Sequence, residues 1–129
     1  KTSKKEAHHI WIEQPQKTFV CVDSKKVLGT YYLKNNQGGG GSHVCNCGYM
    51  VAIGSEGKGL GTMMCEHSQK TAKRLGYKAM QFNLVLVSNK KAVRLWTKMG
   101  FSTVGKIPKA FVHPKIGYVD ALVMHKWLL

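Results

Sequence analysis

The stretch Glu56-Gly57-Lys58-Gly59-Leu60-Gly61-Thr62 lies between a strand-like segment and a helix-like one. Glycines let the backbone come close to a ligand, and the first turn of the helix offers unpaired N–H groups at a positive dipole end. Together they form a cradle suited to a pyrophosphate. Two nucleotide readings lose ground at once. A dinucleotide fingerprint asks for an acidic residue at the end of the next strand, and Ala79–Val87 ends without one. A Walker A loop asks for Ser or Thr after Gly-Lys, and here Lys58 is followed by Gly59.

Upstream of the cradle, His43–Ile53 alternates as a strand. Val44, Asn46, Gly48 and Met50 face one way; Cys45, Cys47, Tyr49 and Val51 face the other. Downstream, Leu60, Met63, Met64, His67, Thr71 and Leu75 recur at helical spacing. That helix ends in Lys73-Arg74 with Gly76 just beyond, basic charge and glycine at the C-terminal end. Ala79–Val87 reads as a strand with Met80, Phe82, Leu84 and Leu86 on one face. Ser88-Asn89 caps a second helix, Lys90–Met99, which stops at Gly100.

Ser102–Ile107 and Tyr118–Trp127 read as the last two strands, joined by a loop that holds Pro108 and His113-Pro114. Nearer the start, Thr18–Val22 and Val27–Leu33 form a hairpin about Asp23–Lys26. The Gly38–Ser42 run reads as a mobile hairpin connection, although it also matches a common engineered linker. Residues 1–17 read as an N-terminal arm or the remnant of a preceding helix, and 18–129 as the domain. The order predicts an α/β fold with a mixed sheet.

A length of 129 residues suits one domain. The balance of 20 Lys+Arg against 6 Asp+Glu, formally +14, attracts polyanions. The cations are spread along the chain without interleaved aromatics, so nucleic acid is a minority reading. No apolar run reaches the ~18 residues of a membrane span. Cys45 and Cys47 form a lone C-x-C without the second ligand pair of a zinc site. We expect no metal, and free thiols in a reducing cytoplasm.

Two motifs together carry a family resemblance. Gly59 and Gly61 match the small residues of a cofactor loop written Arg/Gln-x-x-Gly-x-Gly/Ala, with Glu56 departing at the leading position. One helix and one strand later, Asn89, Ala92, Leu95, Trp96, Gly100 and Phe101 match Asn-x-x-Ala-x-x-Leu/Phe-Tyr-x-x-x-Gly-Phe, with Trp96 in place of tyrosine. In this order and spacing the chain resembles the GNAT (GCN5-related N-acetyltransferase) family over roughly residues 18–127. The family's first strand and helices are not evident, which fits a missing N-terminal part. A finer likeness is to members that acetylate proline analogues such as azetidine-2-carboxylate, through Leu28–Tyr32, Ser42-His43 with Asn46, and Phe82-Asn83-Leu84.

The resemblance implies an N-acetyltransferase that passes the acetyl group of acetyl-CoA to a primary or secondary amine by direct attack. It implies cofactor contacts from Tyr49, Met50 and Val51, from Glu56, Gly57, Lys58, Gly59, Leu60, Gly61 and Thr62, and from Asn89, Ala92 and Trp96. Asn46 and Asn83 are carboxamides inside apolar strands, disfavoured there and costly to bury unpaired. They are candidates for the acceptor pocket or for satisfying backbone where two strands splay. No carboxylate lies on either strand, so the base candidates are His113, His43, Asp120 or ordered water. The expected partner is a small-molecule amine, with a homodimer left open. The alternatives are a non-catalytic acyl-CoA-binding module and a basic nucleic-acid-associated protein.

Overall fold

The computed structural model describes residues 3–129. Helix α1 (Lys4–His8) opens on a capping box in which Ser3 and Glu6 satisfy each other's backbone amides. A π-helical turn, His9–Glu13, continues it. The segment read as an N-terminal arm or the remnant of a preceding helix is thus helical from Lys4 to Glu13, and strand β1 (Lys17–Asp23) follows.

β1 pairs with β2 (Lys26–Asn35) through a two-residue turn. Ser24 and Lys25 both take positive φ, the geometry whose twist matches a tight hairpin. The Gly-rich connection forms a 3-10 turn at Gly39–Gly41 rather than an open loop. β3 (Val44–Val51) pairs antiparallel with β2. Helix α2 (Leu60–Arg74) then crosses over to β4 (Ala79–Leu86), and α3 (Lys90–Lys98) precedes the hairpin of β5 (Ser102–His113) and β6 (Gly117–Trp127). The six strands lie in the order β1-β2-β3-β4-β6-β5, and β3 with β4 is the parallel pair. The mixed α/β sheet expected from sequence is present.

Three local expectations need correction. The buried stripe of α2 runs through Leu60, Met64, Cys65, Ser68, Thr71 and Ala72, whereas Met63 and Leu75 are exposed. Beyond Met64 the inward residues are small where α2 lies against β2 and β3. The alternation of β4 breaks between Phe82 and Val85, where three steps along β4 match two along β6. This bulge buries Met80, Phe82 and Val85 and turns Leu84 out to 52% exposure. Finally, β5 runs on past Pro108 to His113. Its place at the sheet edge and a register shift between Ile107 and Phe111 tolerate a residue without an N–H.

The main core joins Leu33, Cys45, Cys47, Met80, Phe82 and Phe101 with the inner face of α2. A smaller cluster gathers Tyr31, Leu60 and Met64. No helix among the described residues is long and apolar enough to cross a membrane.

Candidate active site

β3 and β4 are paired over three residue pairs only, Val44–Ala79, Cys45–Met80 and Asn46–Gln81, and then diverge. Beyond Asn46 the backbone of β3 has β2 on one side and a gap on the other. The Val44 carbonyl accepts from the Asn36 N–H, and the Ala52 N–H donates to the Leu28 carbonyl. Even-numbered residues of β3 therefore aim their backbone groups at β2. Direction alternates along a strand, so those of Cys47, Tyr49 and Val51 face the gap. Met50, expected among the cofactor contacts, instead directs its backbone to β2 opposite Thr30.

The gap is a cleft of about 360 Å³ between Tyr49 and Gly48 on one wall and Phe82, Asn83 and Leu84 on the other. Asn46, Asn89, Ala92 and Trp96 also line it. Trp96 packs against Tyr49 and Phe82 at ring separations of 5.0 and 4.9 Å. The hydroxyl of Tyr49 bonds Ser68 Oγ at 2.6 Å, and burial pushes its pKa well above the ordinary tyrosine value. Burial likewise raises the Cys47 thiol, so both groups stay protonated at neutral pH.

At one end the cleft meets the glycine loop. A second concavity is lined by Gly57, Gly59, Leu60, Gly61 and Thr62 from one side and by Asn89, Ala92 and Lys91 from the other. Gly57 and Gly59 take φ of +77° and +75°, conformations that favour glycine. Gly59 caps α2 without a side chain, and the first bond of the ladder runs from the Met63 N–H to its carbonyl. The amides of Leu60, Gly61 and Thr62 thus have no partner one turn back. Gly61 lets the two helices close together, since a Cβ there would lie 2.8 Å from Leu95 Cδ2. Asn89 caps α3 by accepting from the Ala92 N–H at 3.2 Å.

Two residues of the expected loop contacts behave differently. Glu56 lines the concavity, but it accepts from the Gly54 N–H at 2.8 Å, which turns its carboxylate onto its own loop. Lys58 stands exposed outside the lining of the concavity. Lys91, which the sequence reading passed over, lines it; its place two residues after the helix cap is the signal that could have found it.

At the other end the cleft opens into a polar basin of about 520 Å³ that shares Asn46 and Asn83 with it. Gln14, Gln16, Lys34, Asn35 and Asn36 complete the basin. Asn46 is 7% exposed, and its amide donates to the Gln81 carbonyl at 2.9 Å, where β3 and β4 begin to splay. Asn83 sits in the β4 bulge and is exposed. It donates to Asn36 Oδ1 at 2.7 Å and accepts from Gln81 Nε2 at 2.9 Å.

None of the base candidates with a titrating side chain lines the cleft. His113 Nδ1 accepts from the Lys115 and Ile116 amides and so caps the β5–β6 turn. Asp120 accepts from the Lys109 N–H and pairs with Lys106, which holds its pKa below the usual value. The His43 ring stacks on Trp127 at 6.4 Å. Among the described residues no group of three His, Cys, Asp or Glu could hold a metal ion.

Comparison with known proteins gives the family and the fold. The profile described as the acetyltransferase (GNAT) family matches residues 1–101. The chain is 36% identical over 111 residues to N-acetyltransferase aca1 of Schizosaccharomyces pombe, covering 84% of this chain and 53% of that protein. It thus spans about half the length of that relative. The solved structure of a GCN5-related N-acetyltransferase from Kribbella flavida superposes with a TM-score of 0.90 at 37% identity, over 98% of this chain and 78% of that one. The structure of yncA from Salmonella typhimurium, solved with its cofactor acetyl-CoA, shares the fold at a TM-score of 0.78 and 23% identity, over 87% of this chain and 64% of its own.

Proposed function

Because the chain belongs to the acetyltransferase (GNAT) family, we propose that it catalyses N-acetylation of a small amine with acetyl-CoA as the acetyl donor. One observation carries the reading. The glycine cradle, the gap beside β3 and the polar basin form one continuous path, joined through Asn89 and Ala92 at one end and Asn46 and Asn83 at the other.

Acetyl-CoA supplies an activated acetyl group as a thioester. The amides of Leu60, Gly61 and Thr62 suit its pyrophosphate, with the formal charge of +14 drawing the anion in. The gap-facing N–H groups of Tyr49 and Val51 suit the pantetheine arm and the thioester carbonyl. Met50 and Lys58 have no part in this reading, and Glu56 lines the cradle with its carboxylate engaged by its own loop.

Asn46 and Asn83 hold the acceptor without titrating near neutral pH. The amine attacks as a neutral nucleophile, and its proton leaves through ordered water. The finer likeness to proline-analogue acetyltransferases suggests a compact secondary amine as acceptor. The four free cysteines suit a reducing cytoplasm.

Trp96 favours a second reading, an acyl-CoA-binding module without turnover. An indole N–H is no acid for a departing sulfur. A thiol titrates near pH ~8.5, however, so a thiolate leaves tolerably without help. A panel of primary and secondary amines, assayed with acetyl-CoA and a thiol-trapping dye, separates the two. Amine-dependent thiol release supports the enzyme; acetyl-CoA binding with no release under any amine supports the module.

A further inference from the structure

Tyr32 lines the cleft from β2, one strand beyond β3. Its ring lies across Gly48: a Cβ at Gly48 would fall 2.6–2.7 Å from the hydroxyl end of that ring. Only glycine leaves room for the phenol to cross β3. Gly48 immediately precedes Tyr49, whose backbone faces the gap.

The ring is held in place. The Trp11 and Tyr32 rings pack in a T shape with centroids 4.9 Å apart at 77°, and Lys34 Nζ lies 5.4 Å from the Tyr32 centroid. Of the two cleft-lining hydroxyls, Tyr49 is tied to Ser68, whereas Tyr32 has no hydrogen-bond partner among the described residues. No buried side-chain nitrogen or oxygen among those residues lacks a partner. The Tyr32 hydroxyl is therefore open to the cleft. A preset, unengaged hydroxyl facing a reaction channel is costly to organise and useful to a substrate.

We propose that the Tyr32 hydroxyl is a catalytic contact for the acceptor: it accepts a hydrogen bond from the amine N–H and so aims the nitrogen lone pair at the thioester carbon. This rests on the acetyltransferase reading. The C–N bond forms from that lone pair, the C–S bond breaks with its electrons leaving on the thiolate, and the extra proton on nitrogen passes to water. Tyr32 keeps its own proton throughout. Burial raises its pKa, first of all, with the nearby Cys47 adding to the effect, so the phenol stays neutral across the working range.

The test is Tyr32→Phe, which keeps the ring and its packing on Trp11. Loss of one neutral hydrogen bond in the transition state should lower kcat/KM for the amine about tenfold. The acetyl-CoA constant, the melting temperature and the shape of the pH profile should stay as in the parent. Gly48→Ala pushes the ring off its seat, so in that background Tyr32→Phe should add nothing further.

An unchanged amine kcat/KM in Tyr32→Phe overturns the proposal. So does loss of the acidic limb of the pH profile, which would make Tyr32 a base. Failure of the underlying reading looks different: the parent itself releases no thiol with any amine, and the hydroxyl then has no reaction to serve.

Discussion

Replacing Asn46 and Asn83 separately by alanine should split stability from catalysis. Asn46 is 7% exposed, and its amide satisfies the Gln81 carbonyl at the point where β3 and β4 part. Asn46→Ala leaves that carbonyl without its partner, at a cost of about 1–3 kcal/mol. For a domain of this size each kcal/mol lowers Tm by about 3–5 °C, so a drop of roughly 3–15 °C is expected.

Asn83 is exposed, and its partners Gln81 and Asn36 can turn to water instead. Asn83→Ala should cost no more than about 0.5 kcal/mol. Both variants should lose turnover while the acetyl-CoA constant stays within about threefold, the signature of lost acceptor contacts. Thermal melts and thiol-release kinetics on the same preparations read both quantities. An Asn46→Ala protein as stable as the parent would refute the account of the splay. An Asn83→Ala protein with full turnover would move the acceptor pocket elsewhere.

Three further outcomes follow from the site. Gly59→Asp should raise the acetyl-CoA constant at least tenfold with the fold intact, since a Cβ there meets nothing within 4 Å. Gly59→Asn, which bears the same positive φ without the charge, should raise it far less, and titration calorimetry distinguishes them. Trp96→Phe should keep most of the turnover and lose about 1 kcal/mol of stability, because the ring packs on Tyr49 and Phe82 and supplies no proton; a collapse of kcat at unchanged stability would assign the indole a chemical role. Burial pushes Tyr31 up to about 12. The folded chain then holds a proton that the unfolded chain loses near pH ~10, so stability is full below ~10 and falls as pH rises towards 12. Alkaline melts should show this slope, shallower in Tyr31→Phe.

Much of the scaffold could be read from periodicity. The glycine loop before a helix and the Asn89 cap before a second one were both visible, and their convergence on one concavity follows from the crossover between two parallel strands. What could not be read depends on partner strands. The bulge that presents Asn83 and exposes Leu84 exists only in the register of β4 against β6. The length of β5 past Pro108 depends on its being an edge.

On α2, spacing favoured Met63 and Leu75, whereas packing selected Cys65, Ser68 and Ala72. Ser68 can be buried because Tyr49 and the Cys65 carbonyl satisfy it. The polar basin gathers Gln14, Lys34, Asn46 and Asn83 from four separate segments, a juxtaposition no local pattern encodes. His113 belonged to a turn because its ring nitrogen serves the two amides that follow it, a use of histidine that composition cannot separate from catalysis.

The most direct test of the central claim follows the acetyl group itself. The full chain is incubated with acetyl-CoA labelled in the acetyl carbons and a proline-analogue secondary amine, and label on nitrogen and free thiol are measured together. N-acetyl product and thiol are expected in a one-to-one ratio, both abolished when the amine is omitted. Saturable binding of acetyl-CoA with no label reaching this or any other amine would contradict the claim.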